Sequence, residues 1–257
     1  MLKAAIIGSG NVAEHLAPAL KKGGYDITQV YTRNRNSGKE LAKKSGADLI
    51  HSFEEISPEN QIIFICVSDH SIAEVASSIP KGEYIVIHTS GSTSLAILKQ
   101  AHKNCGVFYP LQTFTKGIKT DWKKIPICIE GSSKSITEKL EEIAKKIGGP
   151  IHKINSKKRQ QIHLAAVFAN NFSNACYNMA ATLLSKNKID FKILQPLIDQ
   201  TALKTHFSTP QQLQTGPARR NDQKVIKEHL ALLNEDKELA NVYKQISKYI
   251  GHHHSND

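Results

Sequence analysis

The stretch that decides the fold is AAIIGSGNVA, at residues 4–13. Its apolar start predicts a short strand, and a helical pattern follows from Val12 to Lys22. Between them the glycines have the spacing G-x-G-x-x-A, in the strand-then-helix context in which this motif binds a dinucleotide. Gly8 allows the tight turn, and Gly10 lets the backbone approach a pyrophosphate without a Cβ in the way. The sequence therefore predicts a nucleotide-binding unit at its start.

The start of this first helix is the candidate phosphate site. Backbone N–H groups at a helix start have no partner within the helix, and the helix dipole is positive there. A glycine turn that binds no ligand is the alternative interpretation. The residues predicted to bind the pyrophosphate are Gly8, Ser9, Gly10, Asn11 and Val12.

The second predicted strand, Ile27–Tyr31, indicates which dinucleotide binds. NAD enzymes usually carry Asp or Glu about 20 residues after the glycines, where the carboxylate binds the ribose 2′-hydroxyl. Here the strand is followed by Thr32, Arg33, Asn34 and Arg35, without a carboxylate. Because Arg forms bidentate, charge-assisted hydrogen bonds with phosphate, we predict NADP as the cofactor, with these four residues at its 2′-phosphate. The alternative is that both arginines are ordinary loop bases.

Strands and helices alternate up to residue 155, and beyond it the pattern is almost entirely helical. Such alternation argues for βαβ units around a mainly parallel sheet. The predicted fold class is α/β, a Rossmann-like doubly wound sheet followed by an all-α domain. The predicted domains are a nucleotide-binding domain, 1–155, and a helical domain for substrate and dimer contacts, 156–257. The predicted strands are Ala4–Ile7, Ile27–Tyr31, Ile62–Val67, Tyr84–His88, Val107–Tyr109, Ile127–Ile129 and one near Ile151–Ile154.

Polar residues follow two further strands, at the ends where ligands sit in an open α/β sheet. Val67 and Ser68 end one of these strands and are assigned to the cofactor, whereas Asp69 is better explained as a helix cap. His88 ends the next strand and is also assigned to the cofactor. Ser90, in the polar turn after it, is a candidate catalytic residue facing the nicotinamide or the substrate.

The helical pattern from Lys157 to Ser185 carries the candidate proton donor. His163 and Asn170 are seven residues apart and share a helix face, with Asn171 to one side. A cleft facing a cofactor would give these polar groups partners. The alternative is a buried histidine, with asparagines that bond to neighbouring helices.

A later turn offers two cations for an anionic group. Arg219 and Arg220 follow a Gly-Pro turn, where a guanidinium could hold a substrate carboxylate. Asp222 could simply cap the next helix, and the residues leave both interpretations of this turn open.

The net charge of the 257-residue chain is +11, which raises the question of a nucleic-acid partner. The excess is spread over both halves and no basic stripe alternates with aromatic residues, so nucleic-acid binding is not expected. No apolar run reaches the roughly 18 residues of a membrane span. The four cysteines lie far apart and the N-terminus has no signal-peptide pattern, so we expect a cytoplasmic protein without a metal site.

These motifs together resemble one family. The chain is similar to the NADP oxidoreductases that join an N-terminal Rossmann-like domain to a helical C-terminal domain of unknown function. More distantly it resembles pyrroline-5-carboxylate reductase, ketopantoate reductase, and the 6-phosphogluconate and β-hydroxyacid dehydrogenases. The resemblance implies an active site between the domains and a homodimer formed through the helices. The motifs that carry it are GSGNVA at 8–13, YTRNR at 31–35, HTSGS at 88–92, YPLQTF at 109–114, HLAAVFANNF at 163–172 and TGPARRND at 215–222.

The sequence departs from β-hydroxyacid dehydrogenases at their catalytic Lys-x-x-x-Asn motif. The lysine position holds Val167 or Ala166, depending on which asparagine is aligned, so that chemistry cannot be carried over. His163 is the nearest residue able to move a proton at neutral pH. We therefore predict an NADP(H)-dependent oxidoreductase acting on a small anionic carbonyl or imine. In it His163 is the general acid, Asn171 orients the substrate, and Arg219 or Arg220 binds its anionic group. A non-enzymatic NADP-binding sensor is the alternative.

Overall fold

The computed structural model describes residues 1–254, and its first part contains one eight-stranded sheet. The strands are β1 (Leu2–Ile7), β2 (Tyr25–Tyr31), β3 (Asp48–Ile50), β4 (Ile62–Ile65), β5 (Ile85–His88), β6 (Cys105–Pro110), β7 (Ile127–Gly131) and β8 (Ile151–Lys153). Their order in the sheet is β3-β2-β1-β4-β5-β6-β7-β8. Neighbouring strands are parallel, except β6 and β7, which are antiparallel. The order reverses between β1 and β4, which opens a crevice at their carboxyl ends.

Six helices accompany the sheet: α1 (Asn11–Lys22), α2 (Arg35–Ser45), α3 (Ile72–Ser78), α4 (Ala96–Lys99), α5 (Lys134–Ile147) and α6 (Ser156–Ala166). Successive strand residues point to opposite faces of the sheet. Ile6 accordingly belongs to the core formed with α1, α2 and α5, and Ile7 to the core formed with α3 and α4. Two separate cores on one sheet confirm the predicted doubly wound α/β class.

The sheet has one strand more than the sequence predicted. β3 pairs with β2 over three residues, and only Ile50 of the three is buried. A three-residue edge strand with one buried side chain has too little apolar pattern to be recognised. α4 has four residues, and 3₁₀-type turns precede and follow it.

The predicted long helix from Lys157 to Ser185 is interrupted. α6 ends at Ala166, a π-helical turn spans Val167–Phe172, and α7 begins at Ser173 and ends at Lys186. The prediction of one continuous α-helix is therefore wrong at this turn. No proline or glycine marks the turn in the sequence, so periodicity alone could not detect it.

The remaining helices are α8 (Gln195–Lys204), α9 (Pro210–Leu213), α10 (Gln223–Leu232) and α11 (Lys237–His254). The chain divides into two compact units: Met1–Asn171, here called the sheet unit, and the part from Phe172 onwards, here called the helical unit. The last strand ends just before Asn155, as predicted, but α6 belongs to the sheet unit because Arg159 is fully buried there. The assignment of cofactor and substrate roles to separate domains stays a prediction.

The helical unit buries little of its apolar surface. Between Phe172 and His253, only Ala218 and Leu233 are buried apolar residues. Ile193, Leu197 and Phe207 are 68%, 64% and 82% exposed. None of the helices in residues 1–254 combines the length and the apolarity that crossing a bilayer requires.

Candidate active site

A cavity of about 420 Å³ opens at the carboxyl ends of β1, β2 and β4. We call it the glycine cavity. Among the residues that line it there is no carboxylate, and Arg33 is the charged member. Of the residues predicted to bind the cofactor, those lining it are Gly8, Ser9, Gly10, Thr32, Arg33, Asn34, Val67 and Ser68. Three strand ends that are distant in the sequence therefore supply one concave site.

The turn between β1 and α1 depends on its two glycines in different ways. Gly8 has φ +111°, and a Cβ there would lie 2.2 Å from the carbonyl oxygen of Cys66. A Cβ on Gly10 would meet no atom within 4 Å. Gly10 is the N-cap of α1 and gives the helix no side-chain cap, so the first N–H groups of the helix remain open to a ligand. Asn11 and Val12 contribute to this helix start rather than to the cavity wall.

The far side of the glycine cavity is a network of hydroxyl groups. Ser9 Oγ lies 3.0 Å from Thr32 Oγ1 and 2.7 Å from Ser37 Oγ. Asn34 caps α2 by accepting a hydrogen bond from the N–H of Ser37. Arg33 donates through Nη2 to Ser71 Oγ over 3.4 Å and is otherwise exposed. The network places one guanidinium beside the start of α2, an arrangement suited to a phosphate group.

Arg35 is not among the residues that line the glycine cavity. It is the first residue of α2 and is exposed. Of the two predicted 2′-phosphate arginines, the structure therefore brings Arg33 to the cavity and leaves the contribution of Arg35 a prediction.

His88 lies at the end of β5 and is fully buried. Its Nδ1 accepts a hydrogen bond of 3.2 Å from the N–H of Ser90. Burial, and then the charge of Arg159, lower the pKa of His88 to about 3, so the ring is neutral at physiological pH. His88 is not among the residues that line the glycine cavity, and its assignment to the cofactor stays a prediction.

Ser90 is buried in the turn that follows His88. Its Oγ lies 3.0 Å from Thr93 Oγ1 and accepts hydrogen bonds from the N–H groups of Ser92 and Thr93. The structure thus gives this hydroxyl a role in shaping the turn, and the predicted catalytic role of Ser90 has no support in the geometry. Asp69 accepts a hydrogen bond from the hydroxyl of Ser92 and begins a short 3₁₀ turn, Asp69–Ser71. It therefore does not cap α3, whose N-cap is Ser71.

His163 and Tyr109 form a hydrogen-bonded pair. Tyr109 Oη and His163 Nδ1 lie 3.2 Å apart, and the two rings meet edge to face. Gly91 makes this approach possible, since a Cβ there would lie 2.7 Å from both His163 Nδ1 and Tyr109 Cζ. Burial raises the pKa of Tyr109 to about 12, so the phenol keeps its proton. β5, β6 and α6 therefore converge on one ionisable pair.

The pair opens onto a second cavity, of about 600 Å³, which we call the histidine cavity. Asn170 and Asn171, both on the π-helical turn, line it together with His163. Asn170 Nδ2 donates to Thr113 Oγ1 over 2.5 Å, which ties the turn to the segment after β6. The structure thus brings the predicted proton donor and the predicted orienting amide, Asn171, into one cavity.

Arg159 anchors this arrangement and was missed by the sequence analysis. It donates through Nη1 to Glu130 Oε2 over 2.6 Å, and through Nη2 to the carbonyl of Thr93 and to Ser156 Oγ. The guanidinium therefore joins α6, β7 and the turn after β5. In the sequence it follows two lysines, and the run has the composition of a solvated helix face.

Arg219 and Arg220 lie in the helical unit and line a third cavity there. The predicted role of these arginines, to hold an anionic group of the substrate, stays a prediction. Asp222 caps α10, with Oδ1 accepting from the N–H of Val225 over 3.2 Å, which supports the capping interpretation of this residue.

Two family profiles match the chain. The family described as "NADP oxidoreductase coenzyme F420-dependent" matches residues 3–91, and a domain of unknown function, DUF2520, matches residues 125–250. No protein in the curated collection of known sequences matches the chain significantly.

Solved structures share the fold over the whole chain. A candidate NADP oxidoreductase from Bacteroides fragilis is 38% identical, with 98% of each chain covered and a TM-score of 0.93. A reductive aminase from Aspergillus terreus, in complex with NADPH and ethyl levulinate, is 14% identical, with 97% of this chain and 92% of that chain covered and a TM-score of 0.72. Pyrroline carboxylate reductase from Plasmodium falciparum, with NADP bound, is 14% identical, with 98% of this chain and 100% of that chain covered and a TM-score of 0.61. At the two lower identities the likeness concerns the fold alone.

Proposed function

We infer the function from the family to which this chain belongs, the NADP oxidoreductases that carry a helical domain of unknown function after the nucleotide-binding domain. We propose that the chain transfers hydride between NADP(H) and a small anionic carbonyl or imine compound. One observation carries the proposal. The glycine cavity and the His163–Tyr109 pair lie at the same carboxyl edge of one sheet, within one compact unit. A dinucleotide site and a proton donor are the two parts that such a reaction requires.

The residues of the glycine cavity fit NADP, the cofactor of the family. A Cβ on Gly10 would enter open space, which leaves room for a pyrophosphate against the start of α1. Thr32, Arg33 and Asn34 would hold the 2′-phosphate, in a cavity whose lining has no carboxylate to repel it. When bound, the nicotinamide ring supplies or accepts the hydride. The protein contributes position and a proton.

His163 moves that proton. Its Nδ1 faces Tyr109, and within residues 1–254 its Nε2 has no hydrogen-bond partner, which leaves this atom available to the substrate. Tyr109 fixes the orientation of the ring, because its half-buried phenol keeps its proton and lies 3.2 Å from Nδ1. Asn171 positions the carbonyl or imine group from the π-helical turn. The reacting group would therefore receive its proton from Nε2–H of the doubly protonated His163 ring as hydride arrives, and the ring would be left as neutral imidazole.

We include a homodimer formed through the helical unit. Large apolar side chains on several of its helices are exposed, which a stable soluble domain rarely tolerates. The family resemblance implies that a second copy of the chain packs against these apolar side chains. This part of the proposal concerns assembly and leaves the chemistry unchanged.

The proposed reaction is tested by following NADPH oxidation at 340 nm with the purified full-length chain. The panel comprises oxo acids, aldehydes, cyclic imines and coenzyme F420, which the family description names. We expect oxidation with at least one small anionic carbonyl or imine compound. On that substrate, His163→Ala should lower kcat by about 10²–10⁴-fold, because a positioned acid or base contributes that much.

The control for this variant is His152→Ala, an exposed histidine on β8. It should leave kcat unchanged, and both variants should bind NADPH as the wild type does. An unchanged kcat in His163→Ala would show that another group moves the proton.

A non-enzymatic NADP-binding sensor remains the second candidate, because no lysine lines the histidine cavity. NADPH at about 100 times its dissociation constant stabilises a protein by about 2.7 kcal/mol, which a thermal-shift assay detects. A clear shift with NADPH, but no oxidation across the whole panel, would favour the sensor over the enzyme.

A further inference from the structure

We propose that the helical unit carries a binding site for a phosphomonoester, formed by Arg219, Arg220, Lys244 and Lys248. These residues line a cavity of about 580 Å³, here called the arginine cavity. The inference depends on the proposed function only where it asks whether the phosphate belongs to the substrate. Binding of the anion itself is independent of the NADP reaction.

Two elements with different local structure build the site. The turn before α10 contributes both arginines, and one face of α11 contributes the lysines. Lys244 and Lys248 are four residues apart, so they lie one turn from each other on the same face, with Ser247 beside them. Asn221 and Gln223 add neutral donors from the turn and from the start of α10. The fold therefore gathers four cations and several neutral polar groups around one concavity.

The positive charge of this cavity is not neutralised within the described part of the chain. No carboxylate is among the residues that line it. None of its four cations forms an ion pair with another residue in 1–254, whereas Lys186 in the same unit pairs with Asp236. The neighbouring carboxylate, Asp222, is engaged in capping α10.

The geometry of the side chains is partly fixed in advance. Arg219 Nη1 donates to the carbonyl of Gln214 over 2.6 Å, so its guanidinium is held by its own loop. Like charges four residues apart on a helix repel each other, and a bound anion would relieve the repulsion between Lys244 and Lys248. A site that concentrates uncompensated charge in a concave surface favours an anionic ligand.

The number of cations identifies the class of anion. A monocarboxylate offers one negative charge and two oxygens against four cations. A phosphomonoester carries nearly two charges and three acceptor oxygens, and it matches the bidentate geometry of arginine. Neutral donors at Asn221 and Ser247 would satisfy the remaining oxygens. The phosphate could belong to the substrate itself or to a separate regulatory metabolite, and the chemistry is the same in both cases.

The test uses the full-length protein saturated with NADPH, so that added phosphate cannot occupy the glycine cavity. Calorimetry with inorganic phosphate, at constant ionic strength, should show saturable binding, and acetate should bind at least tenfold more weakly. The double variant Arg220→Ala/Lys248→Ala should weaken phosphate binding at least tenfold. Its affinity for NADPH should be unchanged, which shows that the variant is folded.

The matched control is Lys224→Ala/Lys227→Ala, which removes two exposed cations of α10 that do not line the cavity. It should bind phosphate as the wild type does. If NADPH fails to bind the wild type, the proposed function fails, and the calorimetry is repeated on Arg33→Ala without nucleotide. The two proposals can therefore fail separately.

Comparing dihydroxyacetone phosphate with dihydroxyacetone in the NADPH oxidation assay shows whether the phosphate belongs to the substrate or to a separate regulator. Oxidation with the phosphorylated compound alone would assign the site to the substrate. Binding without oxidation would assign it to a separate regulator, and both results support the site. The inference is overturned if phosphate does not bind, or if it binds equally well to Arg220→Ala/Lys248→Ala. It is also overturned if that variant changes the oligomeric mass, because the cavity would then be an interface between subunits.

Discussion

The sheet unit and the helical unit differ sharply in how much apolar surface they bury. In the sheet unit, two continuous cores cover both faces of the sheet, and side chains such as Ile6 and Ile7 are almost completely inaccessible. In the helical unit, Phe207 and Leu232 are each 82% exposed. A single apolar side chain transferred from water contributes about 1.5–3 kcal/mol. The sheet unit gains this free energy of burial when it folds, whereas the helical unit would gain it only through the proposed dimer.

The same difference separates the two proposed anion sites of the chain. The glycine cavity relies on backbone position, with one guanidinium beside a helix start. The arginine cavity relies on exposed side chains. Substitutions at buried positions of the sheet unit should therefore affect folding and binding together, whereas those in the helical unit should affect binding or assembly alone.

The largest expected effect is that of Gly8→Ala. Its Cβ would meet the carbonyl of Cys66, and φ +111° is strained for alanine, so we expect a loss of about 4 kcal/mol or more in the free energy of unfolding and no NADP binding. Gly10→Ala is the matched variant, because its Cβ meets no neighbour. It should keep nearly the wild-type stability while binding NADP more weakly. Denaturant titration and calorimetry measure both quantities, and equal stability of the two variants would contradict the prediction.

Arg159→Ala should lower the free energy of unfolding by about 3–5 kcal/mol, because it leaves Glu130 without its ion-pair partner and removes a fully buried anchor. Lys3→Ala, which breaks an exposed ion pair with Glu59, should lower the free energy of unfolding by less than about 1 kcal/mol. Urea unfolding of both variants gives the comparison. A small cost for Arg159→Ala would show that the histidine cavity does not depend on this anchor.

The lowered pKa of His88 makes the free energy of unfolding depend on pH. The pKa of His88 is about 3 in the folded protein and about 6.5 in an unfolded chain, so the unfolded state binds more protons below pH 6.5. Its contribution is therefore fully present above pH 6.5 and is lost as the pH falls, by about 2 kcal/mol at pH 5. The difference between wild type and His88→Asn, measured by urea unfolding at pH 7 and pH 5, isolates this residue.

His206 in the helical unit is the control for that experiment, because it is exposed. The variant His206→Asn should follow the wild-type pH profile. A profile unchanged in His88→Asn would contradict the assignment of a buried neutral ring.

The smallest effect concerns the assembly. Phe207→Ser should leave the unfolding energy of a monomer almost unchanged, since the ring is already exposed, but should weaken dimerisation about tenfold or more. Light scattering over a dilution series should give a wild-type mass near twice 28.4 kDa, with the variant dissociating at higher concentration. Wild-type protein that remains monomeric at all concentrations would remove the proposed dimer.

Much of the sheet unit could be predicted because its signals are local. Gly8, Gly10 and Arg33 all line the glycine cavity, as expected from their positions directly after a strand. Arg159 could not be predicted, because its burial depends on Glu130 and Thr93, which are far from it in the sequence. The burial of His88 could not be predicted for a related reason, since a strand-end histidine can point into the core as readily as towards a ligand.

The π-helical turn at Val167–Phe172 holds one residue more per hydrogen-bonded turn than an α-helix does. In an uninterrupted α-helix, consecutive residues are about 100° apart, so Asn170 and Asn171 would diverge. Here both line the cavity that His163 also lines. A chain shortened by one residue within this turn could regain regular i→i+4 bonding, and it would then present only one of the two amides. The turn thus gives up helical regularity and places two amide side chains, rather than one, in the lining of the same cavity.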